Sequence, residues 1–182
     1  MPQQTQLYIV ASRHPRVGRT LLSRLLIDFL RMGGRPLVGY DLDPREPALA
    51  GCFPNLVWQV DIADIRGQMA LFDRILSDHW RTTVIDLGQG LFDQFFKVMT
   101  EIGFEDEARQ KLIQPVVLFI ADSAPFTATT YADLRGGDCD RPFLSRCIMK
   151  PPRSWSSPGT FRRYRRNTRR SVFRVCRRSC GA

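Results

Sequence analysis

The sequence predicts an α/β fold: a three-layer α/β/α domain on a mostly parallel β-sheet. Short apolar runs rich in β-forming residues alternate along the chain with segments whose apolar residues recur every three or four positions. The apolar runs are nearly continuous, as expected for strands that helices cover on both faces of a sheet. A chain of 182 residues has room for one such domain and an appendage.

The first predicted elements form a βαβ unit. The apolar run 7–11 predicts a strand, and the run 36–40 predicts a second one. Between them, residues at helical spacing predict an amphipathic helix that Gly33 and Gly34 end: Leu21, Leu22, Leu25, Leu26, Phe29 and Leu30. Two strands joined through a helix are expected to run parallel.

The rest of the predicted domain repeats this alternation. Strands are expected over 56–60, 82–87 and 115–121. Helices are expected over 67–77 and 91–102, with a further short helix after the acidic residues 105–107. Asp41, Asp43 and Asp86 each follow or end a predicted strand, so they are expected at one edge of the sheet.

The C-terminal segment, residues 135–182, has a different composition. It holds 14 of the 27 basic residues and two of the 18 acids, a net charge of +12, whereas the remainder has 13 bases and 16 acids, a net charge of −3. Crowded arginines and the absence of any apolar period predict a disordered basic tail. Three interpretations of it stay open: an arm that binds DNA or another polyanion, with Phe161, Tyr164 and Phe173 interleaved; a membrane-surface segment; or an out-of-frame translation.

No apolar run approaches the roughly 18 residues that a membrane span needs, so no membrane span is predicted. The N-terminal residues 1–6 are polar and uncharged, unlike the basic start of a signal peptide. A cytoplasmic location is therefore expected.

The loop after the first strand is the candidate phosphate site. Loops at the C-terminal ends of parallel strands lead into helix N-termini, where free backbone N–H groups and the helix dipole attract anions. The segment Gly18-Arg19-Thr20 resembles the Gly-Lys-Thr ending of a phosphate-binding P-loop.

Three segments together resemble the ParA/MinD group of P-loop ATPases, including the TraL-like conjugation proteins. They are 9–20, the Asp-Leu-Asp-Pro of 41–44, and 84–86, which match in order and spacing. The resemblance implies a nucleotide-binding domain over residues 1–134 with the P-loop NTPase fold, its sheet incomplete at the C-terminal edge. It also implies ATP and Mg²⁺ as cofactors, a nucleotide-dependent homodimer, and a role in plasmid or chromosome partition or in conjugative transfer.

The resemblance also implies roles for individual residues. Asp43 would orient the attacking water as the catalytic residue, and Thr20 and Asp86 would hold Mg²⁺, with Asp41 beside its ligand shell. Residues 122–126 match the region that shapes the base pocket. The nucleotide phosphates would be held by the loop: Arg13, His14, Arg16, Val17, Gly18, Arg19 and Thr20.

The loop departs from the family pattern. His14-Pro15-Arg16 stands where the family has Lys-Gly-Gly, and Arg19 replaces the lysine that reaches the β- and γ-phosphates. A planar guanidinium does not substitute freely for a compact ammonium, and Pro15 removes one N–H donor. The sequence therefore predicts ATP binding with weak or absent hydrolysis.

Simpler interpretations of the same residues stay open. Gly18-Arg19-Thr20 could be an ordinary helix start, Asp43-Pro44 a turn, and Asp86 a helix cap. The alternative functions are a non-enzymatic protein that binds DNA or another polyanion through its arginine-rich tail, and an inactive truncated member of the family.

Overall fold

The strands of this protein form one parallel sheet. The computed structural model describes residues 4–121, 130 and 146–149. Six strands lie in this part of the chain: β1 (Thr5–Ala11), β2 (Leu37–Asp41), β3 (Val57–Gln59), β4 (Thr82–Asp86), β5 (Ile113–Ala121) and β6 (Arg146–Met149). Their order is β3-β2-β4-β1-β5-β6, and every neighbouring pair is parallel.

Helices cover the sheet on both faces, which confirms the predicted three-layer α/β/α fold. In the described residues the helices are α1 (Arg19–Met32), α2 (Ala48–Cys52), α3 (Ile65–Ser77), α4 (Phe92–Glu101) and α5 (Phe104–Gln110). Helices α1 and α2 pack on one face, and α3, α4 and α5 pack on the other. None of these helices combines the length and apolarity needed to cross a bilayer.

Alternate residues of each central strand supply the two halves of the core. In β1, Leu7 and Ile9 face α3–α5, whereas Val10 faces the side of α1. On the α3–α5 side, the rings of Phe72 and Phe104 lie 5.1 Å apart between centroids. Burial on both faces is why the strand sequences are continuously apolar instead of alternating.

Helix α1 has more apolar surface than the sheet covers. Ile27 is fully buried against the sheet. The predicted apolar stripe divides: three of its leucines are partly buried and pack against the core, namely Leu22, Leu26 and Leu30. The other three residues stay exposed, with 59% of Leu21, 59% of Leu25 and 71% of Phe29 accessible to solvent. The apolar positions span more of the helix circumference than one contact face can bury.

Two described elements were not predicted. Helix α2 is a single short turn, and β6 pairs with β5 inside the segment 135–182 that was expected to be disordered. Apart from residues 146–149, that segment lies outside the described residues, as does the expected base-pocket region 122–126. The domain boundary at residue 134 stays a prediction.

The strand order brings the predicted site residues together. β1 and β2 are parallel, as predicted, but β4 lies between them. In the ladders, Val10 is opposite Asp86, and Asp41 is opposite Asp86 on the other side. The loop after β1, the segment after β2 and the end of β4 therefore meet at one edge of the sheet.

Candidate functional site

The loop after β1 delivers an uncapped helix N-terminus. Arg16 and Gly18 adopt left-handed backbone conformations, with φ of 57° and 96°. Gly18 is the N-cap of α1, so no side chain caps the helix, and the first turn has no acidic residue. The first hydrogen bond of the helix runs from the N–H of Leu22 to the carbonyl of Gly18, 3.0 Å away. The preceding N–H groups of the first turn are thus available to an anion.

This helix start opens into a cleft of about 800 Å³. Five of the predicted site residues line it: Arg16, Gly18, Arg19, Thr20 and Asp43. The lining also includes Pro15, the segment 44–46 after β2, and residues 89–91 after β4. Three arginines line the cleft against two acids, so its lining favours an anionic ligand: the arginines are 16, 19 and 45, and the acids are 43 and 46.

Arg19 joins the two aspartates at the base of the cleft. Its Nε lies 3.0 Å from Oδ1 of Asp86, and its Nη2 lies 3.3 Å from Oδ2 of Asp43. The side chains are 10% exposed for Arg19, 17% for Asp43 and 2% for Asp86. The side chain of Thr20 also hydrogen-bonds to Asp86. The guanidinium is therefore an internal counter-ion of both carboxylates.

Asp41 has a structural role in the described state. Its Oδ2 accepts hydrogen bonds from the N–H groups of Leu49 and Ala50, at 2.9 and 3.0 Å, and so caps α2. Its Oδ1 accepts the N–H of Asp43 at 3.1 Å. Because these backbone bonds engage both oxygens, Asp41 holds the segment that carries Asp43 in place.

Three of the predicted loop residues do not line the cleft. The guanidinium of Arg13 pairs with Asp93 at the start of α4, with Nη2 2.6 Å from Oδ1, and lies 5.0 Å from the ring centre of Phe92. Val17 packs against the core below α1. The carbonyl of His14 accepts the hydroxyl of Ser12 at 2.9 Å. None of the three lines the cleft, and their predicted contact with phosphate stays a prediction.

No protein-family model matches this chain, and a search of curated proteins finds no relative. Several solved structures are similar to it, including the following two. One is the signal recognition particle receptor FtsY from Elizabethkingia anophelis in complex with GDP, with 12% identity and a TM-score of 0.47. The match covers 73% of this chain and 46% of that one, so the chain spans less than half of its length. The other is a nucleotide-binding protein in complex with ADP from Archaeoglobus fulgidus, with 14% identity, a TM-score of 0.37, and coverage of 80% and 82%.

The segment after β4 is the part of the site that the sequence analysis missed. The backbone N–H of Gln89 lies 3.5 Å from Oδ2 of Asp43. A Cβ on Gly88 would lie 2.5 Å from the carbonyl oxygen of Leu42 and 2.8 Å from Cα of Asp43, so only glycine lets the two strand ends approach. The signal was present in the sequence, since Gly88 and Gly90 directly follow a strand that ends in an acid.

The two aspartates beside Arg19 have pKa values shifted in opposite directions. Burial raises the pKa of Asp86 above its ordinary value of 3.8, although Arg19 and Thr20 oppose this. Partial burial would also raise the pKa of Asp43. Hydrogen bonds from the backbone N–H groups of Glu46, Arg45 and Gln89, together with the charge of Arg19, outweigh burial and lower that pKa.

The lowered pKa of Asp43 predicts a loss of stability in acid that Asp43→Asn removes. As the pH falls, the unfolded chain takes up a proton at this position before the folded chain does. The stabilisation is complete above the unfolded pKa and disappears as the pH falls through the folded one. As the pH is lowered from about 5 through the ordinary aspartate pKa of about 3.9, the urea midpoint should fall more for the wild type than for the variant.

Asp28→Asn, on the exposed surface of α1, is the control for removing one carboxylate. The raised pKa of Asp86 favours the folded state as the pH falls, which is the opposite effect. Because Asp86 is present in the wild type and in both variants, it does not affect the comparison. Equal declines for the wild type and Asp43→Asn would contradict the prediction.

The implied Mg²⁺ does not fit the residues present. The two expected ligands are Thr20 and Asp86, and the carboxylate of Asp86 is already engaged by Arg19 and Thr20. Asp41, expected beside the ligand shell, accepts backbone N–H groups with both oxygens. In the described residues, no buried side-chain oxygen or nitrogen lacks a hydrogen-bond partner. The guanidinium of Arg19 contacts both Asp43 and Asp86, and so occupies the position of a cation shared by these two carboxylates.

Proposed function

We propose that the cleft at the start of α1 binds the phosphate groups of a nucleotide. The observation that carries the proposal is the uncapped N-terminus of α1, which opens on the cleft beside Arg16 and Arg19. Helix α3 provides the contrast, because the side chain of Asp64 caps it through the N–H of Gly67 at 2.7 Å. An anionic ligand would supply to α1 what Asp64 supplies to α3.

The resemblance of residues 9–20, 41–44 and 84–86 to the ParA/MinD group supports ATP as the nucleotide. It also supports a nucleotide-dependent homodimer and a role in plasmid or chromosome partition or in conjugative transfer. Asp43, the candidate catalytic residue, is paired with Arg19 and accepts backbone N–H groups through its other oxygen. A carboxylate engaged in this way is a poor partner for an attacking water, so we propose ATP binding with weak or absent hydrolysis.

Calorimetric titration of the full chain with ATP, GTP and tripolyphosphate tests the site, and Gly18→Ala is the diagnostic variant. An alanine at φ 96° is strained, and relief of that strain would reorient the N–H groups at the start of α1. We expect Gly18→Ala to weaken binding of all three anions about tenfold or more, which corresponds to about 1.4 kcal/mol.

Gly34→Ala is the matched control. Gly34 also has a positive φ, of 66°, and a Cβ added there would meet no neighbouring atom. It lies just beyond the C-terminal end of α1. Both variants should lose about 1–2 kcal/mol of stability, but only Gly18→Ala should lose affinity. Equal affinities for the two variants, or no heat from the wild type at millimolar anion, would contradict the proposed function.

A further inference from the structure

The pairing of Arg19 indicates how the proposed nucleotide site is neutralised. Asp43 lines a cleft whose ligand would itself be anionic, and the buried carboxylate of Asp86 lies beside Arg19, which also lines the cleft. Without a cation between them, these like charges would repel each other and the ligand. The guanidinium of Arg19 provides that cation from within the chain.

The geometry gives Arg19 an advantage over a divalent ion. Its planar guanidinium contacts one carboxylate through Nε and the other through Nη2. Mg²⁺ needs near-octahedral oxygen coordination and gives up its own water reluctantly. To enter, it would also have to displace a guanidinium from two carboxylates that are largely buried, which leaves the displaced charge to be solvated anew.

We propose that this site, resting on the nucleotide binding proposed above, takes the phosphate chain of its ligand without a divalent metal ion. Arg19 stands between Asp43 and Asp86 in place of the ion. The ligand phosphates contact the N–H groups at the start of α1 and the remaining N–H groups of Arg19, with Arg16 at the rim of the cleft. The ligand class is therefore a metal-free di- or triphosphate.

Calorimetric titration of the full chain with ATP, once in excess EDTA and once in excess Mg²⁺, tests this. We expect the dissociation constant in EDTA to be about tenfold or more lower than in excess Mg²⁺, because excess Mg²⁺ holds ATP as a complex that must lose its ion before it can bind. Equal binding in the two media, or weaker binding in EDTA, would overturn the metal-free proposal while leaving the nucleotide site standing. No heat in either medium would overturn the nucleotide site itself, and this proposal with it.

Arg19→Lys is the informative variant. A lysine ammonium is a compact charge that does not match two carboxylates with a planar fork, so it leaves oxygens available to a metal ion. The ratio of the dissociation constants in EDTA and in Mg²⁺ should rise about tenfold or more over the wild type. Electron paramagnetic resonance of Mn²⁺ with ATP gives a second readout, with ternary-complex binding expected for the variant and not for the wild type. An unchanged ratio together with Mn²⁺ bound by both proteins would contradict the role of Arg19.

Discussion

Arg19→Met is expected to lower the free energy of unfolding by about 3–5 kcal/mol. Methionine keeps much of the side-chain volume but removes the charge that faces Asp86 and Asp43. Removing one partner of a buried ion pair leaves an uncompensated charge with no water to solvate it. Urea or guanidinium denaturation at neutral pH measures the loss.

Two further proteins show whether burial is the reason. Arg13→Met makes the same substitution in the same loop, but the Arg13–Asp93 pair is exposed, at 37% and 74% of the two side chains. It should cost about 1 kcal/mol or less. The double variant Arg19→Met, Asp86→Asn should recover part of the stability, because a neutral amide tolerates burial better than an unpaired carboxylate. Equal losses for Arg19→Met and Arg13→Met would contradict the buried counter-ion.

Gly67→Ala is expected to destabilise the protein by about 3 kcal/mol, although Gly67 lies in the first turn of α3. Helix propensity alone predicts a gain of about 1 kcal/mol for this change. However, an added Cβ would overlap the carbonyl oxygen of Asp61 and lie 3.0 Å from its carbon. That segment cannot move away easily, because the adjacent carbonyl of Ile62 accepts hydrogen bonds from Gln68 and Gln94, both at 2.9 Å.

Gly51→Ala is the matched substitution with the opposite expected sign. Gly51 lies inside α2, and a Cβ there would meet nothing within 4 Å. It should therefore stabilise the protein by about 0.5–1 kcal/mol. Thermal denaturation of both variants, followed by circular dichroism, compares them directly. If Gly67→Ala stabilises the protein, the prediction is wrong, because the turn at 61–64 then shifts to accommodate the added Cβ without a large loss of stability.

The layers and most elements could be predicted because burial determines both pattern and structure. The apolar runs that form β1, β4 and β5 are covered on both faces of the sheet, so their sequences are continuously apolar and differ clearly from the alternating pattern of a half-exposed strand. The meeting of Gly18, Asp43 and Asp86 was also predictable, since parallel strands place all their C-terminal ends at one edge. Neither inference needs any distant contact to be known.

The direction of individual side chains could not be predicted in the same way. Asp41 was expected beside a metal ion, but it caps α2, whose few residues have no periodicity of their own. Arg13 was expected at the phosphates, but it finds Asp93, 80 positions away in sequence. Both contacts depend on the position of a second segment, α2 for Asp41 and α4 for Arg13, and the sequence around each residue does not determine that position.

The sequence also could not predict which part of the apolar stripe of α1 packs against the sheet. Leu22 and Leu25 are the same residue type on the same helix, yet the first is half-buried and the second is 59% exposed. Periodicity identifies the helix but does not choose which apolar side meets the sheet. β6 was missed for a related reason, because four residues become a strand only when the edge of β5 offers hydrogen bonds.

The position of β4 between β1 and β2 has a consequence for how the protein assembles as it is synthesised. Residues 5–41 are synthesised before residues 82–86 but cannot close a sheet by themselves, since the gap between their two strands is filled only by residues 82–86. The backbone N–H and C=O groups on the facing edges of β1 and β2 are paired only when β4 is present, so closing the sheet needs contacts between residues far apart in sequence. The same late strand carries the aspartate that neutralises Arg19. The centre of the sheet and the ion pair between Arg19 and Asp86 therefore form only after residues 82–86 have been synthesised.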